Sequence, residues 1–89
     1  MHEEALLRDL RRALDDVAAR HGVSRLTAVS LWVGAFSHVT EAFLRARWPE
    51  AVRGSAAEGA RLSVERSDDP ADPRADRVVL RDVRFEEGP

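Results

Sequence analysis

The sequence predicts an α+β fold: two helices packed on one face of a three-stranded, mixed β-sheet. Three observations lead there. Apolar residues recur at helical spacing in the first twenty positions. They switch to alternation in three later stretches. The segments then read helix, strand, helix, strand, strand, and two helices covering one sheet face is the economical packing of that set. The strand–helix–strand unit favours parallel pairing of the first two strands, which makes the sheet mixed.

Glu3 to Arg20 is the first helix, with Leu6, Leu10, Ala13, Leu14, Val17 and Ala18 at helical spacing. Glu3 and Glu4 suit the positive end of the helix dipole, and Gly22 suits a left-handed stop. Arg8, Arg11 and Arg12 fall on its polar side, and a solvated face is the usual meaning of such a cluster.

Arg25 to Val33 is the first strand, with Val29, Leu31 and Val33 toward the core and Trp32 toward a half-open outer face. Gly34-Ala35-Phe36-Ser37 breaks the pattern. A second helix follows Thr40, its expected N-cap, and Pro49 predicts a kink or break at Arg47–Trp48. Arg61 to Arg66 is a second strand. Ser67 to Asp76, with two Asp-Pro steps and little that is apolar, reads as a solvated linker. Arg77 to Glu86 is the third strand. Its Val78 and Leu80 share one face and Val83 and Phe85 the other, so a β-bulge near Arg81–Asp82 is needed to bring both pairs inward.

At 89 residues the chain is read as one domain, 1–89, too small for a large core. Net charge is −2, from 14 basic and 16 acidic residues, which argues against a nucleic-acid partner. There is no cysteine, so disulfides, thiolate zinc sites and cysteine nucleophiles are excluded. No segment is apolar and long enough for a membrane span, and no signal-peptide core is visible, so no membrane partner and a cytoplasmic location are expected. No catalytic constellation can be argued from the spacing of Ser, His and Asp, and the chain is not read as an enzyme.

The chemistry is concentrated at Met1-His2-Glu3. A residue as large as His at position 2 keeps Met1 in place. The terminal amine, the deprotonated His2 amide and the His2 imidazole then close two fused chelate rings on one ion. Glu3 adds a fourth donor through its amide or carboxylate. Four near-coplanar N and O donors suit Ni(II) or Cu(II), and the motif by itself does not choose between them. The competing explanation is a solvated side chain at a frayed end. The Glu3 carboxylate has its own plain role at the start of a helix. His21 fits a helix C-terminus. His38 fits a surface loop, and serves as a donor only if folding brings it to the terminus. Trp32 is the better candidate for a partner anchor, Trp48 for the core.

Met1-His2-Glu3, His21-Gly22 after the first helix, Val33-Gly34-Ala35-Phe36-Ser37, and Arg53-Gly54-Ser55-Ala56-Ala57-Glu58-Gly59-Ala60 occur in that order. Together they resemble the HypA-type nickel chaperones of hydrogenase and urease maturation. The resemblance covers Met1 to about Ser67 well and the last strand less closely. It implies a nickel-binding domain, Ni(II) held through Met1, His2 and Glu3, a nickel-chaperone GTPase as partner and a hydrogenase large subunit as recipient. The family also carries a zinc lobe with two Cys-x-x-Cys pairs between the last two strands. This chain has only 67–76 there and no cysteine, so no zinc is expected. Two readings follow. One is a nickel metallochaperone. The alternative is a non-metal adaptor, a degenerate relative that docks on an assembly partner or forms a homodimer.

Overall fold

The computed structural model describes residues 2–86, without the side chain of His2. Its elements are α1 (His2–Arg20), β1 (Ala28–Val33), α2 (Glu41–Ala51), β2 (Arg61–Arg66) and β3 (Val78–Arg84). The sheet order is β2-β1-β3, with β1 parallel to β2 and antiparallel to β3. The expected α+β architecture is present: two helices and a mixed three-stranded sheet.

Helix α1 presents Leu7, Leu10, Leu14 and Ala18 to the core, a stripe at i, i+3, i+7 and i+11. Leu7 belongs to that stripe and Leu6 only flanks it, a shift from the sequence reading. The helix ends in paired backbone bonds, Gly22 N to Ala19 O at 3.1 Å and Val23 N to Ala18 O at 3.0 Å. Gly22 sits at φ +68°, where a Cβ is strained, as this Schellman geometry requires.

Val29, Leu31 and Val33 are almost fully buried and share one core cluster with the apolar residues of α1 and α2. Opposite Ser30 stands Asp82, yet opposite Leu31 stands Leu80. Arg81 is therefore the extra residue of a bulge. That one insertion lets Val78, Leu80, Val83 and Phe85 all pack against the core.

Thr40 caps α2, its hydroxyl accepting from Phe43 N at 3.0 Å. The expected break before Pro49 does not occur: the helix runs on to Ala51, and Val52 N still donates to Trp48 O at 3.1 Å. Pro49 deprives only the Arg45 carbonyl of its donor. Both residues lie on the exposed side, where a missing backbone bond costs least. Arg11 is not a solvated side chain either. Its guanidinium donates to Ala51 O at 3.2 Å and Arg53 O at 2.6 Å, serving carbonyls that the end of α2 leaves open.

The stretch 67–76 is rich in turns and mostly exposed, and hydrogen bonds anchor it. Asp69 and Asp72 accept from the backbone N–H of Ala71 and Arg74 at 2.9 and 2.8 Å. Ala75 is buried against the end of β1. Gly34 N donates to Arg77 O at 2.8 Å and Phe36 N to Ala75 O at 2.7 Å. A Cβ on Gly34 would lie 2.2 Å from the Ala75 carbonyl oxygen, so glycine is required by the close approach of two backbones. The Arg74 guanidinium lies over the Trp32 ring, 4.8 Å from its centroid. Trp32 is only 8% exposed, so the half-open aromatic expected on the outer face is covered.

Candidate metal centre

Helix α1 begins at His2, so Glu3 lies in the first turn of a helix whose apolar stripe belongs to the core. Met1 and the His2 side chain, two of the expected donors, lie outside the described residues. Glu3, the third, is partly buried in the first turn.

Beside Glu3 opens a cavity of about 520 Å³. Leu6, Val39 and Val78 give it apolar wall, and Glu3, His38 and Asp76 give it polar groups. Glu3 and His38 are far apart in sequence. Both line this cavity, Glu3 from the first turn of α1 and His38 from the loop after β1. The docked stretch 67–76 holds the start of that loop with two backbone bonds.

The loop bearing His38 is held on both sides. Arg66, at the end of β2, donates to Ser37 O at 3.0 Å and to Val39 O at 3.1 Å. The Ser37 hydroxyl accepts from Val39 N at 3.2 Å. A histidine flanked by two anchored carbonyls has little backbone freedom. Phe36, next but one to it, is 61% exposed.

His21 is excluded from this end. It stacks on Phe85 at 5.0 Å, at the other end of a helix about 27 Å long by the standard helical rise. Among the described residues no three of His, Asp and Glu converge closely enough to hold a metal ion. Nothing in the sequence marks Asp76 as lining this cavity or Arg66 as the clamp on its loop. Neither position belongs to a recognisable motif, and only the sheet order carries them there.

Two helices on a mixed three-stranded sheet, with Met-His-Glu opening the chain, define a small α+β domain. Comparison with known proteins narrows it. The family model described as HypA, hydrogenase/urease nickel incorporation, metallochaperone, matches residues 1–72. The hydrogenase maturation factor HypA of Paracoccus denitrificans is 42% identical over 64 residues, 72% of this chain and 57% of that protein. That of Escherichia coli K12 is 40% identical over 65 residues, 73% of this chain and 56% of that protein. That of Deinococcus radiodurans is 38% identical over 66 residues, 74% and 55% respectively. The chain belongs to the HypA family. The matched stretch is little more than half the length of these curated relatives, and β3 lies beyond the family match. The relatives are named as maturation factors rather than as enzymes. No helix among the described residues is long and apolar enough to cross a membrane.

Proposed function

We propose that this protein is a nickel metallochaperone that binds one Ni(II) at Met1, His2 and Glu3 and delivers it during hydrogenase or urease maturation. The observation that carries this reading is that the family match begins at residue 1 and so includes Met-His-Glu itself. The donors are the Met1 amine, the His2 amide and imidazole, and the amide or carboxylate of Glu3. A site at an accessible terminus favours ligand exchange with a recipient. The partners are a nickel-chaperone GTPase and a hydrogenase large subunit, and the setting is the cytoplasm. Residues 1–89 form one nickel-binding-type domain in this reading, with 67–76 standing where the family carries its zinc lobe. Without cysteine the chain has no thiolates for that zinc.

The adaptor reading loses one of its motives, because Trp32 is covered by Arg74 rather than open to a partner. Calorimetric titration of the untagged protein with Ni(II), beside His2→Ala, tests the nickel reading. One equivalent bound by the native chain and none by the variant is expected. Equal heats from the two would leave the adaptor.

A further inference from the structure

We propose that β3 is a self-association edge, along which two copies of this chain pair antiparallel and join their sheets into one of six strands. The inference uses residues 78–85 and stands apart from the nickel reading.

The sheet has two edges, β2 and β3, because β1 lies between them. An unpaired edge is a template for another strand. The β2 edge is guarded by α2, whose Arg45 donates to Leu62 O at 3.1 Å. The helices also cover the β2 side better: Leu62 is buried, whereas Val78, Leu80, Val83 and Phe85 of the β3 side are only partly so. The apolar side chains along the β3 edge are thus left for a second copy to finish covering.

The bulge then selects the occupant and the register. Val78, Leu80, Val83 and Phe85 pack on the helix side of the sheet. Val79 and Arg81 line a hollow with Trp32 on the other side, where Arg81 meets Glu65, and Asp82 stands opposite Ser30 there. Two successive residues, Arg81 and Asp82, therefore share the outer face. As a result the order of inward and outward residues in 78–85 reads the same from either end. A two-fold axis perpendicular to the sheet preserves faces, and residues opposed across an antiparallel pair share a face. Placed between Arg81 and Asp82, that axis satisfies both conditions for all eight residues. Val78 then opposes Phe85 of the second copy, and Leu80 opposes Val83, apolar against apolar. Arg81 opposes Asp82 of the second copy, and Asp82 its Arg81, so the exposed charges complement each other twice. A slip of one residue sets Arg81 against itself and Leu80 against Asp82, which costs both charge and burial. A bulge ordinarily spoils an edge for a regular strand. Here each copy brings the same bulge to the axis, so the two irregularities match.

The test is a charge exchange in the full chain, read by sedimentation equilibrium from about 1 µM to about 1 mM. The native chain is expected to move with concentration from 9.9 kDa toward twice that mass. Arg81→Asp and Asp82→Arg each place like charges at the axis, and each alone should dimerise at least about ten-fold more weakly. Mixed in equal amounts, the two variants oppose acid to base at both positions and should recover the native affinity within about three-fold. Both positions are exposed, circular dichroism checks the fold, and recovery in the mixture cannot come from unfolded chains. A native chain that stays at 9.9 kDa throughout would overturn the proposal. So would single variants that associate as tightly as the native chain, or a mixture of folded variants that regains nothing.

Discussion

At the scale of single residues, the stretch 67–76 shows how few contacts turn a polar segment into structure. Gly34 and Ala75 pass so closely that no side chain fits between them. Gly34→Ala should therefore lower the unfolding free energy by about 2 kcal/mol or more, since backbone must move to make room. Urea denaturation measures it, and a loss below a few tenths would mean the turn is not held there. Asp72 is the second control point. Its carboxyl is held below the ordinary carboxylate range, first by the hydrogen bond from the Arg74 backbone N–H and then by the Arg74 guanidinium. A folded pKa below the unfolded one means that the fold favours the charged form. The contribution is complete above the unfolded carboxyl pKa and is lost as pH falls through the folded one. Because Arg74 lies over Trp32, acid should change the Trp32 fluorescence at low pH. Asp72→Asn should remove that acid step; an identical titration in the variant would contradict the assignment.

At the scale of elements, the instructive case is α2. Proline inside a helix costs about 3 kcal/mol in a fully satisfied context. Here Pro49 stands near the C-terminal end, on the solvent side, and Trp48 and Leu44 on the other face are buried. Burial of those two side chains outweighs a local preference that would stop the helix at Arg47. Pro49→Ala should then stabilise the domain by about 1–2 kcal/mol, the helix gain less the added freedom of the unfolded chain. Thermal melting checks the sign, and a destabilised variant would show that the proline ring itself is packed. The neighbouring end of the helix is served from outside by Arg11. Arg8 and Arg12 carry the same charge on the same helix and are exposed, so charge alone did not single out Arg11. Its partners are carbonyls about forty residues away.

At the scale of the whole molecule, nickel and stability are linked in a way that separates local from tertiary donors. In the nickel reading proposed above, the chelate of amine, amide and imidazole is made by adjoining residues, so an unfolded chain offers it as well. A ligand stabilises a fold only through its preference for the folded state. With those donors alone, saturating nickel should leave the melting midpoint almost unchanged although the ion binds. A ten-fold preference for the folded chain would instead raise the unfolding free energy by about 1.4 kcal/mol, or roughly 5–10 °C in midpoint for a domain of this size. A shift of that size in a thermal melt would mean that a donor beyond the terminal three depends on folding.

Element identity and order were legible in the sequence because each rests on short-range periodicity. Apolar spacing marked α1, alternation marked β1, and Thr40 marked the start of α2. The bulge was legible too, because Val78 with Leu80 and Val83 with Phe85 cannot share a face without an extra residue, and that residue is Arg81. The family was legible from motif order. What the sequence hid were long-range backbone approaches, which leave no periodic trace. The docking of 67–76 on Gly34, the cover that Arg74 gives Trp32 and the hold of Arg66 on its loop all depend on strand order.

By itself, then, the sequence determined the set of elements, their pairing sense and the Met1-His2-Glu3 tripeptide. Only the tertiary structure decided what faces that tripeptide. Most of α1 and all of β1 separate Glu3 from His38 along the chain, yet the fold places both residues around one cavity. The physical reason is that chelation by neighbours needs no fold, whereas a donor from a distant loop requires closure of the chain between them, which burial of the core stabilises.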